Sequence, residues 1–75
     1  MPPLPPLSGQ EVVRIFSFLG WIVARQRGSH IVMVKEGSIA TLSIPDHREV
    51  AKGTLLSLIR NAGLTVEEFL QASGK

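Results

Sequence analysis

Two histidines set among cations are the groups in this 75-residue chain that stand out as able to do chemistry. His30 follows Gly28-Ser29, where a turn gives way to an apolar run. An imidazole placed there can project from a sheet edge and exchange protons near neutral pH, and a positioned acid or base is typically worth about 100- to 10,000-fold in rate. His47 stands between Asp46 and Arg48 in a polar stretch and is a candidate second acid or base. Arg25, Arg27, Lys35, Arg48 and Lys52 are candidate phosphate contacts, because cations stabilise the charge that develops on a phosphodiester as it is cleaved. Each of these residues also has a plainer reading. Taken alone, a histidine such as His30 is more often a plain surface or rim residue and His47 more often a loop residue, while the cations are as readily ordinary solubilising charge. Spacing alone does not choose between the two.

Other chemistries find no residues to carry them. The sequence has no Gly-rich phosphate loop ending in Lys-Ser/Thr, no His-Glu-x-x-His helix and no nucleophile elbow, so no nucleotide cofactor and no metal are expected. Without cysteine, disulfide stapling and thiol chemistry are excluded, and two histidines alone make a poor structural zinc site. The net charge is +2, with seven of the eight basic groups and four of the six acidic ones in residues 1–63. That bias fits weak attraction to phosphate. The apolar runs are far shorter than the roughly 20 residues a bilayer span needs, so no membrane insertion is expected. The N-terminal stretch lacks the basic and apolar regions of a secretory signal, and a cytoplasmic location is the expectation.

The elements that must position these groups can be read along the chain. Residues 1–7 form an expected flexible proline-rich arm, since four prolines in the first six positions oppose both helix and sheet. Its Pro2-Pro3-Leu4-Pro5-Pro6 run also satisfies P-x-x-P spacing, a pattern short enough to arise by chance. Residues 8–75 form one expected domain. Ser8 and Glu11 make a capping box with Leu7 and Val12 as a hydrophobic staple, predicting a helix from residue 9 that Gly20 ends. Val12, Val13, Ile15, Phe16 and Leu19 share its apolar stripe, and Phe18, roughly 130° from the stripe's centre, is read as a rim residue in preference to an exposed contact. Trp21 is read as a core aromatic in preference to a base-stacking platform.

Strands are predicted at residues 21–26, 30–35 and 39–44, joined by Arg27-Gly28-Ser29 and Glu36-Gly37-Ser38 as two hairpins. Such a meander needs helices over one face. Residues 45–53 read as a polar crossover loop. A second helix then places Leu55, Leu56, Leu58, Ile59 and Ala62 on one side, with Gly63 as its left-handed stop, and a Thr65/Glu68 capping box opens a short terminal helix carrying Phe69 and Leu70. The expected class is α+β, with α-β-β-β-α order, a three-stranded antiparallel sheet and a short C-terminal helix. This order is that of the double-stranded-RNA-binding domain, an analogy of fold that does not by itself assign function.

Three segments together resemble the HicA (YcfA-like) toxin family. They are Ser8-Gly9-Gln10-Glu11-Val12-Val13 leading to Leu19-Gly20-Trp21; Arg25-Gln26-Arg27-Gly28-Ser29-His30; and Ile44-Pro45-Asp46-His47 through Lys52-Gly53-Thr54-Leu55 to Ala62-Gly63-Leu64. The match covers residues 8 to about 70, and the ordered combination is more specific than any one piece. The resemblance implies a fold like the double-stranded-RNA-binding domain and an mRNA-cleaving endonuclease (mRNA interferase) of a toxin–antitoxin stress-response system. It also implies inhibition by a HicB-like protein antitoxin and no cofactor. The family's catalytic histidine, which follows the Gly-Ser pair, maps onto His30, with Gly28 and Ser29 as the turn that positions it. A histidine shortly before Lys-Gly-Thr-Leu maps onto His47. Two features depart from the family: the proline arm, and the apolar second strand Ile31-Val32-Met33-Val34, which on an open sheet face would favour antitoxin or self-association over RNA.

The mechanism these residues suggest is transesterification without a metal, in which His30 deprotonates a ribose 2′-hydroxyl that attacks the adjacent phosphate. A non-catalytic RNA-binding module of the same fold, and a pure protein-interaction domain, are the alternatives.

Overall fold

The computed structural model describes residues 3–74; Met1, Pro2 and Lys75 lie outside the described residues, and with Pro2 the first residue of the P-x-x-P run. The elements run α1 (Gly9–Phe18), β1 (Ile22–Arg27), β2 (His30–Val34), β3 (Thr41–Pro45), α2 (Lys52–Asn61) and α3 (Val66–Ala72). This is the expected α+β order, with β2 central in an antiparallel β1-β2-β3 sheet.

Local chemistry sets where helices start and stop. Both predicted capping boxes form: Ser8 Oγ accepts from the Glu11 amide at 3.1 Å while Glu11 Oε1 accepts from the Ser8 amide at 3.0 Å, and Thr65 and Glu68 repeat the exchange at 3.1 and 2.9 Å. At the other end of α1 the amides of Gly20 and Trp21 donate to Ser17 and Phe16 at 3.1 and 3.0 Å. Gly20 takes φ 99°, which completes a Schellman motif. Its accompanying apolar contact is Trp21 against Phe16, ring centroids 6.3 Å apart and edge-on. Trp21 is therefore spent on the helix cap and the core, 2% exposed, and β1 begins one residue later than its apolar character suggests. Arg27, expected in the turn, pairs with His30, which leaves Gly28-Ser29 as a two-residue turn.

Side chains alternate across the sheet, and Ile31, Met33, Leu42 and Ile44 point to the face that the helices cover. They join Val12, Ile15, Phe16, Leu55, Leu58, Ile59 and Phe69 in one core, where Phe69 meets Phe16 at a centroid distance of 5.3 Å. Removing either phenyl ring would cost about 3–5 kcal/mol. Phe18 does not sit at the rim of this core. It is 79% exposed, because at the last residue of α1 it stands far round the helix from the centre of the buried stripe of Val12, Ile15 and Phe16.

The proline-rich segment contributes to the fold more than its composition suggests. Leu4 and Leu7 are both buried in the core, and the Val50 amide donates to the Leu7 carbonyl at 2.8 Å. The prolines oppose helix and sheet, and Leu4 and Leu7 supply the anchors.

Candidate functional site

One end of the sheet gathers most of the chemistry-bearing residues. His30 opens the central strand, directly opposite Arg27 on β1 and Pro45 on β3. Its position follows from the Gly28-Ser29 turn, in which Gly28 has φ 59° at the site where two-residue hairpin turns favour glycine. The turn is held from outside by the Asp46 amide, which donates to the Ser29 carbonyl at 2.7 Å. Asp46 is held in turn by Gln10 on α1, whose side-chain amide donates to the Asp46 carboxylate at 3.1 Å.

His47, two residues past the Pro45 that pairs with His30, comes to the same end of the sheet. Its carbonyl accepts from the Gly9 amide at 2.9 Å, so the first turn of α1 fixes its backbone. Gly9 is buried there, and a β-carbon in its place would collide with the Pro45 carbonyl and lie 2.9 Å from the Asp46 Cα. Both imidazoles remain exposed.

Which face of the sheet His30 occupies is set by its alternation with Ile31 and Met33. These two point into the core, so His30, Val32 and Val34 point to the face that no helix covers. The apolar second strand is thus not an apolar open face. Two of its residues are core, and Val32 is 6% exposed, flanked in register by Arg25 and Ser43.

The arginines reach that face through an irregularity. Ile22 pairs with Val34 and Val23 with Met33, but then Arg25 pairs with Val32, leaving Ala24 as an extra residue in a β-bulge. Strict alternation from Val23 would have sent Arg25 and Arg27 toward the helices. The bulge inverts the parity, so Val23 shares the core side with Met33 while Arg25 and Arg27 share the open side with Val32 and His30. Directly opposite residues have β-carbons about 4.5–5.5 Å apart, which brings the Arg27 side chain alongside His30.

The remaining candidate cations divide. Arg48 follows His47 on the same loop, and Lys52 is the first residue of α2, whose first turn holds no acidic residue. Lys35 lies past the other end of β2, where its Cε would be 3.3 Å from a β-carbon built on Gly20. It is not part of the cluster around His30. Among the described residues no three His, Cys, Asp or Glu side chains gather to hold a metal ion, and no helix is long and apolar enough to cross a membrane. A surface groove lined by Phe18, Leu19, Glu68, Gln71 and Ala72 lies at the far end of α1 from the histidines.

Gly9, Gln10, Ala24 and Asp46 are the positioning residues that a search for histidines and cations passes over. Of these, only Ala24 leaves a trace in the pattern: Trp21 and Val23 are apolar, yet Arg25 and Arg27, at the same parity, are charged.

Comparison with known proteins bears on the family and the fold. A family model described as the HicA toxin of bacterial toxin–antitoxin systems matches residues 9–64. A solved toxin–antitoxin complex from Streptococcus pneumoniae contains a chain 37% identical to this one, the superposition covering 79% of this chain and 100% of that chain with a TM-score of 0.69. No curated relative matches the chain. With the family model spanning most of its length, and the shared fold alongside, this chain belongs to the HicA family of bacterial toxins.

Proposed function

We propose that this toxin is an endoribonuclease that cleaves mRNA without a metal ion, with His30 as general base, and that a HicB-like protein antitoxin restrains it. The observation that carries the reading is the placement of His30 on the open face of the sheet, exposed, directly across from Arg27 and at the same end as His47. An imidazole nitrogen of His30 takes the proton of a ribose 2′-hydroxyl, and the freed oxygen attacks the neighbouring phosphorus. The bond from phosphorus to the 5′-oxygen breaks, leaving a 2′,3′-cyclic phosphate and a new 5′-hydroxyl. Arg27 neutralises charge on the phosphate oxygens as the fifth bond forms. His47 is the candidate for the acid that returns a proton to the departing 5′-oxygen, with Arg48 and Lys52 as further phosphate contacts.

The antitoxin reading draws on the Streptococcus pneumoniae relative, which is part of a toxin–antitoxin complex. A partner that covers the open face would shield His30 and Arg27 together.

The test is incubation of the purified chain and its His30→Ala variant with a long single-stranded RNA in the presence of a chelator. Cleavage by the wild type alone, giving cyclic-phosphate ends, is the expected result. Equal cleavage by both proteins would remove His30 from the mechanism, and cleavage of a strand lacking the 2′-hydroxyl at the scissile position would remove transesterification. Co-purification with the product of the adjacent reading frame tests the antitoxin.

A further inference from the structure

The open face of the sheet holds more than the histidine. Its side chains fall into three rows across the strands: Arg27, His30 and Pro45; Arg25, Val32 and Ser43; Ile22, Val34 and Thr41. Rows two residues apart along a strand are about 6.6–6.8 Å apart, close to the length of one extended nucleotide. The first two rows each carry one arginine from β1, on this face because of the bulge at Ala24. The third carries no charge, and its Ile22 is exposed.

We propose that a single extended RNA strand lies along β1 and β2 on this face, with successive phosphates at Arg27 and Arg25 and the next nucleotide against Ile22 and Val34. The inference deepens the endoribonuclease reading and rests on it for the position of the scissile phosphate beside His30. It makes the substrate's form a single strand rather than a duplex.

Three observations support it. The five residues of β2 span about 17 Å, whereas duplex recognition by domains of this architecture extends over about 16 base pairs. Apart from the His30 imidazole no aromatic side chain belongs to the three rows, so binding along them depends chiefly on phosphate contacts and should weaken with salt. Finally, Val32 is nearly inaccessible although no helix covers its face. The aliphatic stem of Arg25, its partner in register, is suited to cover it and to hold the guanidinium over the second row.

The experiment measures binding of a short 2′-O-methyl RNA, uncleavable because the attacking hydroxyl is blocked, as a single strand and as a duplex over a range of salt. The proteins are the wild type, Arg25→Gln, and Arg25→Gln combined with Ser43→Lys or Ser57→Lys. Gln keeps two of the three methylenes that can lie over Val32. Ser43 shares the row of Arg25, while Ser57 is exposed on α2 in the helical layer, so the two double variants have equal charge in different places. The single strand should bind more tightly than the duplex. A cation that neutralises one phosphate of a single strand adds about 0.7 to the salt slope of log K, so Arg25→Gln should flatten the slope by that amount, Ser43→Lys should restore it and Ser57→Lys should not. Preference for the duplex, an unchanged slope in Arg25→Gln, equal rescue by both lysines, or no binding of either RNA would overturn the proposal. A wild type that shows the expected binding pattern yet never cuts natural RNA would instead sink the nuclease reading and leave the strand's path intact.

Discussion

At one end of the sheet the chain collects Gly28, Ser29, His30, Asp46 and His47; at the other it leaves Phe18, Ile22, Val23 and Ile39 exposed. The two ends are held by different means. Around the histidines, backbone groups of separate elements bond to one another: Asp46 to Ser29, Gly9 to His47 and Val50 to Leu7. Around Phe18, the bonds are local ones that close the end of α1 on itself, with Trp21 packed on Phe16 five residues away. Bonds between distant segments fix several loops against one another and leave their side chains available for a ligand. A local cap fixes only its own helix end, and the exposed side chains beside it are bystanders to the fold. The comparison predicts that exposed residues at both ends can be changed without unfolding the protein, and that activity depends on the histidine end and not on Phe18, Val23 or Ile39; Ile22 is the residue of the apolar end that lies on the proposed path of the strand.

The largest expected effect is that of His30→Ala, a loss of about 100- to 10,000-fold in RNA cleavage with stability altered by less than about 0.5 kcal/mol. Cleavage assays and thermal melts of the same preparation check both halves, and a large fall in melting temperature would break the comparison. Next is Gly9→Ala. Alanine is ordinarily the better helix residue, but here its methyl group meets the Pro45 carbonyl. Overpacking should cost about 1–3 kcal/mol, read as a melting temperature lower by roughly 4–8 °C per kcal/mol, together with slower cleavage as the His47 loop is displaced. An unchanged melt would show that the loop yields freely. Leu4→Ala should cost about 2 kcal/mol in denaturant unfolding and leave the activity of the folded fraction intact. Loss of activity without loss of stability would tie the proline-rich segment to the site. Smallest is Phe18→Ser, expected to stay within about 0.5 kcal/mol and to cleave as the wild type does. Impaired cleavage in that variant would show that the apolar end takes part after all.

Much of this layout is legible in residue order. Both capping boxes and the stops at Gly20 and Gly63 are local signals, in which a few neighbouring residues satisfy the groups a helix end leaves open, and they appear where expected. The meander is legible from its three runs of strand-forming residues and from the glycines between them. Less legible is anything that depends on two distant segments meeting. Phe18 and Leu4 show this in opposite directions: a phenyl ring expected at the rim stands in solvent, and a leucine among prolines is buried. Burial depends on which surface comes to lie alongside, and composition does not record that. The candidate site is visible as a set of residue types, His30 foremost, through its Gly-Ser turn. Its geometry is not, because Arg25 and Arg27 reach the same face as His30 only through the register shift at Ala24. By residue type Lys35 is as good a cation as Arg27, yet the length of β2 separates it from the histidine.

The tight seat of Gly9 bears on how such a chain would be silenced in a growing culture. Every missense change that a single base substitution can make in a glycine codon adds a side chain, and at this position any side chain strikes the Pro45 backbone. Among cells selected for surviving expression of this chain, inactivating lesions should therefore recur at codon 9 as well as at codon 30. The first kind would lower the amount of folded protein, and the second would leave a full complement of folded but harmless protein.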